Sequence, residues 1–189
     1  VFSLLYNKLN VFFLYHTGGA TAVAQYSAGW QLVDGAVALV SNILLGRLVF
    51  PHLATLVATG QPAALAAYAR AAFRRLALLA LAGMLLLTLA APRLIPLLYG
   101  PGYDTTAALL PWMTVSLPLG FLHNLAAYLM LATGCQRRLA LLYGLGLLLN
   151  LGLCAVWIPS HPLTGAVGAL LLTKAIVALF TLEIGRAHV

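Results

Sequence analysis

Residues 164–182, TGAVGALLLTKAIVALFTL, carry a single charge, Lys174, and no proline. A run of this length matches the roughly 20 residues a helix needs to cross about 30 Å of hydrocarbon. It does not alternate polar and apolar over about 10 residues, as a barrel strand would. A helix also satisfies its own backbone hydrogen bonds where no water is present. Working outward, comparable runs occupy residues 139–157, 106–133, 74–91 and 23–49, with a shorter one at 1–16. The sequence therefore predicts an all-α polytopic membrane protein with about six transmembrane helices. The run at 1–16 is too short for a full span and has no initiator Met, so a truncated first helix is expected.

Composition excludes most other classes. The chain is 63% hydrophobic and 7% charged, with a mean hydropathy of +1.01, whereas soluble domains carry about a quarter charged residues. The net charge of +7 comes from isolated or paired basic residues between apolar runs, without the basic arm or aromatic-interleaved patch of a nucleic-acid binder, so no nucleic-acid partner is expected. Arg47, Arg70, Arg74 and Arg75 flank one loop and Arg137 and Arg138 fill another, and these are alternate loops. The positive-inside rule makes that face cytoplasmic. Segment 62–75, PAALAAYARAAFRR, reads either as a helix along the inner surface or as an extension of the third span.

Punctuation sets the span ends. Gly18-Gly19 separates the first two spans, Pro51 is expected to close the second and Pro92 the third, Gly134 precedes the Arg137-Arg138 turn, and Pro159 and Pro162 mark the last external turn. Pro111 and Pro118 lie inside the fourth span, with His123 and Asn124 just beyond. Proline-broken helices can gate transporters, and these two residues are the expected gating elements. The final residues, Ile184-Gly185-Arg186-Ala187-His188-Val189, are what the sequencing adapter ATC-GGA-AGA-GCA-CAC-GTC would encode. Residues 183–189 are therefore expected to be an adapter-derived tail and residues 1–182 the membrane unit.

Three charges fall inside the spans. Counting in from the external turns places Lys8, Asp34 and Lys174 about eight to eleven residues deep, roughly 12–16 Å at the helical rise. An ionisable side chain there costs roughly 2.5–3.5 kcal/mol even on the lenient insertion scale, so such residues face a polar cavity or one another. Asn7 and Asn10 stand beside Lys8, and Gln25, Gln31 and Asn42 belong to the second span. Lys8, Lys174, Asn7, Asn10 and Gln31 are the expected substrate-binding residues. Two lysines suit an anionic headgroup, with Asp34 as counter-charge or proton-coupling residue. A buried Lys–Asp pair that only fixes helix register is the competing reading.

Catalysis is not expected. Outside the tail the carboxylates are Asp34 and Asp104, one within a helix and one in an external turn, too few for a membrane glycosyltransferase. His16, His52, His123 and His161 lack HxxxH spacing and read as interfacial or packing residues, and Cys135 and Cys154 form no CxxC, so neither metal nor cofactor is expected.

The order YNKLNVFFL (6–14), AQYSAGWQLVDG (24–35), FPHLATL (50–56), LIPLLYGPGY (94–103), ATGCQRRLALLYGLGLLLNLGL (132–153) and WIPSHPLTGAVGA (157–169) resembles the Wzx-like polysaccharide flippases of the MOP superfamily, exporters of O-antigen and exopolysaccharide. The resemblance covers nearly all of residues 1–182. It implies the C-terminal lobe of a two-lobe inner-membrane transporter in a bacterium. Such a transporter flips undecaprenyl-pyrophosphate-linked oligosaccharides by alternating access, without ATP hydrolysis. Its partners would be the lipid-linked oligosaccharide, membrane lipids and an N-terminal lobe of the same protein. Lys8 falls where the family often has a basic residue. Asn10 replaces a frequent Asp and Pro162 a frequent Gly, while Pro159 and Gly165 keep the pattern. A drug or metabolite exporter of the MATE branch, a lipid II flippase, or a non-transporting scaffold for polysaccharide assembly are the alternatives.

Overall fold

The computed structural model describes the backbone of residues 2–186 and the side chains of residues 8–184. The expected roles of Asn7 and of the end of the tail fall on side chains outside the described residues. The elements are α1 (Phe2–Val40), a π-helical segment (Ser41–Val49), α2 (Phe50–Ala58), α3 (Pro62–Tyr99), α4 (Asp104–Thr114), α5 (Ser116–Ala132), α6 (Gln136–Trp157) and α7 (Pro162–Arg186), and no strand occurs among the described residues. Among the described residues, four helical runs are long and apolar enough to cross a membrane: Lys8–Ala58, Pro62–Tyr99, Gln136–Trp157 and Pro162–Ile184. The pair α4 and α5, bent by 41°, makes a fifth when taken as one span.

The first helix reverses within itself. At Gly19 the backbone adopts φ 69° and ψ −170°, a region essentially confined to glycine. Nine residues before that point, Asn10 Nδ2 donates to the hydroxyl of Tyr26 at 2.9 Å. In a straight helix sixteen residues would separate these two by about 24 Å. The limbs before and after Gly19 therefore lie side by side, and a Cβ added at Gly18 would come within 2.6 Å of the Ala22 Cβ. The reversal sits at the expected Gly18-Gly19 boundary.

Two expected stops are not stops. Pro51 begins α2 rather than ending the span. Its missing N–H falls where the π-helical pattern hands over to α, marked by the Phe50 N–H bonding to Leu45 O, so the ring interrupts little that was formed. Likewise α3 runs through Pro92 and Pro96 as far as Tyr99. Each proline forfeits one backbone bond, but leaving the helix in an apolar setting would expose several. Segment 62–75 is a straight extension of α3, held against α2 by the His52–Tyr68 ring contact at 4.4 Å. With 38 residues, α3 is about 57 Å long and exceeds the hydrocarbon thickness by about 27 Å.

Pro118 does break its helix. It offers no N–H to Thr114 O, and its ring crowds that carbonyl; the bend falls at Val115, between α4 and α5. The freed turn is held by side chains, with Thr114 Oγ1 donating to Pro111 O at 2.7 Å and lying 3.0 Å from Thr88 Oγ1. Below the bend α5 is the most enclosed helix, burying Leu117, Phe121, His123, Leu125 and Met130. At the last external turn a Cβ on Gly165 would meet Trp157 O at 2.6 Å, so α6 and α7 approach there as closely as glycine allows. Beyond residue 182, α7 continues as helix, and Ile184 packs on Ala127, Met130 and Leu139.

Exposure differs sharply between faces. α3 presents Leu78, Leu81, Leu85 and Leu89, and α6 presents Leu141, Leu145 and Leu148, stripes at helical spacing that suit lipid. The second limb of α1 and the π-helical segment after it instead expose Ala24, Gln31, Gly35, Ala38 and Asn42, with Leu39 and Ile43 beside them.

Gly19→Ala is expected to lower stability by about 1–3 kcal/mol because it forces a side chain into a glycine-only conformation. Gly35→Ala should be neutral or stabilising by up to about 1 kcal/mol, since nothing lies within 4 Å of its added Cβ. Unfolding in detergent, followed by circular dichroism, compares the two.

Candidate functional site

Tyr26, Trp30 and Asp34 are spaced by four residues, which puts them on one face of the second limb of α1. Each has a partner along that face. The Tyr26 and Trp30 rings are stacked, with centroids 6.0 Å apart and planes 8° apart. The Lys174 ammonium, arriving from α7, lies 4.3 Å from the centre of the Trp30 ring. Its Nζ is also 3.4 Å from Asp34 Oδ1, with the Lys174 side chain 11% exposed and that of Asp34 38%. Lysine is thus held between an indole face and a carboxylate, both of which attract a cation. The carboxylate is the part of this cluster open to the surroundings.

The node behind this face is Asn10. It is fully buried, and besides the Tyr26 hydroxyl its Nδ2 donates to Ala166 O on α7 at 3.0 Å. Its Oδ1 lies 2.9 Å from Cys154 Sγ on α6, while the same thiol lies 3.5 Å from Asn150 Oδ1. Asn150 Nδ2 in turn donates to Thr173 Oγ1 at 3.2 Å, beside Lys174. One polar ladder therefore ties both limbs of α1 to α6 and α7. Both donors of the Asn10 carboxamide are used, and its oxygen accepts one bond.

The sequence-selected residues divide into three groups. Lys174 and Asp34 come together as an ion pair. Lys8 and Gln31 are exposed, and the reversal at Gly19 brings Lys8 level with the turn around Trp30. Asn10 is buried within the bundle. Gln25 also faces inward, where its Nε2 donates to Gly102 O at 2.6 Å and its Oε1 accepts from the Thr106 N–H at 3.0 Å. Pro111 and Pro118 bracket the 41° bend. Trp30 was missed by sequence reasoning, although the four-residue spacing Tyr26, Trp30, Asp34 was there to be read.

Among the described residues, three buried side-chain polar atoms have no hydrogen-bond partner: Trp30 Nε1, Ser116 Oγ and His123 Nδ1. Leaving such a group unmatched costs about 1–3 kcal/mol. Trp30 belongs to the surroundings of Lys174, whereas His123 meets the Tyr143 hydroxyl at 2.9 Å through Nε2. A separate open groove of about 480 Å³ lies at the outer end of the bundle, between Gly18, Thr105, His161 and Thr164. Among the described residues no three His, Cys, Asp or Glu side chains converge as metal ligands would.

Removing one member of the pair should destabilise more than removing both. Asp34→Leu leaves the Lys174 ammonium enclosed without its carboxylate, whereas Asp34→Leu with Lys174→Met removes the charge as well. A double-mutant cycle by thermal unfolding is expected to give a coupling of about 0.5–3 kcal/mol; additive effects would mean that the two side chains act independently.

No protein-family model, no curated protein and no solved structure matches this chain.

Proposed function

We propose that this chain is one lobe of a two-lobe transporter of the bacterial inner membrane, crossing the bilayer six times. Its substrate would be an undecaprenyl-pyrophosphate-linked oligosaccharide, moved from the inner to the outer leaflet by alternating access and without a chemical step. The count of six rests on the reversal of α1 at Gly19. The run Lys8–Ala58 has 51 residues, about 76 Å of helix, more than twice the hydrocarbon thickness, and it folds back on itself.

The observation that carries the reading is the contrast between faces. Leucines cover the outward sides of α3 and α6, while the second limb of α1 and the π-helical segment after it expose Gln31, Gly35, Ala38 and Asn42 with the half-exposed Asp34 beside them. Small and polar residues at membrane depth belong against a second lobe or a water-filled cavity rather than lipid. Lys8 stands exposed on the neighbouring limb of α1, and with Lys174 behind Asp34 it supplies the positive charge that a pyrophosphate would seek. Asp34 holds Lys174 in place as counter-charge until an anion competes for it. The bend between Pro111 and Pro118 gives the bundle a place to flex.

In inverted vesicles containing the full-length parent, Lys8→Ala and Lys174→Ala are each expected to abolish flipping of the lipid-linked oligosaccharide at unchanged expression. Flipping at the wild-type rate would remove both lysines from the substrate site.

A further inference from the structure

Between residues 78 and 97, α3 turns leucine outward, and Leu78, Leu81, Leu85, Leu86, Leu89 and Leu97 are each half exposed or more. The interval covers about 28 Å of helix, close to the hydrocarbon thickness of about 30 Å. Just before it stand Arg74 and Arg75, both exposed. Arg74 is four residues ahead of Leu78 and Arg75 four ahead of Leu79, so each continues the outward surface by one helical turn, and exposed Arg70 continues it by one more. The His52–Tyr68 ring contact at 4.4 Å sets the register of α2 against α3. Counting five residues back from His52 and six on from Tyr68 brings exposed Arg47 and Arg74 to within about a turn of one level. No carboxylate occurs in the sequence between Asp34 and Asp104, and among the described residues none of these four arginines is ion-paired. The positive-inside rule accounts for the side of the membrane on which they lie, not for the face. Residues 59–61, the turn between α2 and α3, are uncharged, whereas the arginines sit at the edge of the leucine surface.

We propose that Arg70, Arg74 and Arg75, with Arg47 at their level, form a binding site for the phosphate of an anionic phospholipid in the leaflet at that end of the bundle. The inference is independent of the transport reading. A surface that is leucine for the depth of the hydrocarbon and then arginine matches a lipid part by part: acyl chains lie along Leu78, Leu81 and Leu85, and the phosphodiester meets the guanidinium forks. A zwitterionic lipid brings its own cation to the site, whereas an anionic one brings the net negative charge that these unpaired arginines lack. A free anion has no such hold, because exposed guanidinium groups compete with water for it and the leucines add nothing. An acidic protein partner would have to lie on a surface whose adjoining turns already face acyl chains. The bound lipid fixes the depth of α3 and leaves residues 62–69, with α2, standing clear of the hydrocarbon.

Native mass spectrometry of the protein released from vesicles of mixed phosphatidylcholine and phosphatidylglycerol reads which lipid stays bound. Phosphatidylglycerol is expected to be retained in preference, and the combined change Arg70→Gln, Arg74→Gln and Arg75→Gln to erase that preference. Each arginine removed should weaken retention about fivefold, the equivalent of about 1 kcal/mol for a basic residue near an anionic surface. Arg93→Gln, towards the other end of the leucine surface, is expected to leave the preference unchanged. Should the triple variant fail to insert, the three single variants decide, since each leaves two arginines in place to orient the helix. Equal retention of the two lipids by the native protein, a preference undiminished in every variant of Arg70, Arg74 and Arg75, or an equal loss in Arg93→Gln overturns the proposal. Displacement of the lipid by an equal concentration of inorganic phosphate overturns it as well, because the site would then be one for a free anion.

Discussion

The interior of this bundle is organised by the carboxamide of Asn10. A buried amide in an apolar setting must use its hydrogen-bonding capacity, and here it does so against three different segments: Tyr26 on the returning limb of α1, Ala166 on α7 and Cys154 on α6. Those three contacts determine where the second limb of α1 can lie. Once Tyr26 is held, the four-residue repeat carries the constraint along one face to Trp30 and then to Asp34. Lys174 is met by both. The position of the ion pair is therefore a consequence of a neutral hydrogen bond made about two turns away, rather than a cause of the packing.

This ordering also explains why a charge can be accommodated inside the chain. An isolated ammonium at membrane depth is costly, and a salt bridge alone often fails to offset the loss of solvation. Lys174 has more than a salt bridge. The indole face of Trp30 covers one side, the carboxylate of Asp34 the other, and the carboxylate remains partly open. Such an arrangement holds the lysine in place and leaves the carboxylate partly open to the surroundings. The lipid-facing helices need no comparable provision, because α3 and α6 turn leucine outward along almost their whole apolar length.

Much of the helical architecture was legible because hydrocarbon leaves the backbone few choices. Long apolar runs had to be helices, and Gly18-Gly19 had to be where the first of them ended. The rules of punctuation failed at Pro51 and Pro92 because they describe chains in water, where a freed carbonyl finds a solvent partner; inside an apolar environment the helix continues. Counting residues from the turns placed Asp34 and Lys174 at one depth, and they do pair. Depth could not give rotation about the helix axis. Asn10 and Lys8 are neighbours in sequence, yet one is enclosed by three segments and the other exposed. His123, read as a packing residue, could not be distinguished from one with an unmatched nitrogen until its neighbours on α6 and α7 were known.

The reversal of α1 sets the two limbs side by side, and one distance tests it directly. Spin labels carried by ketone-bearing amino acids at positions 8 and 31, both exposed in the native chain, report their separation by pulsed electron resonance in nanodiscs. The folded-back helix predicts a separation below about 20 Å, whereas a straight helix over the same 23 residues would hold the labels about 35 Å apart. The longer distance would contradict the reversal, and with it the proposed six crossings.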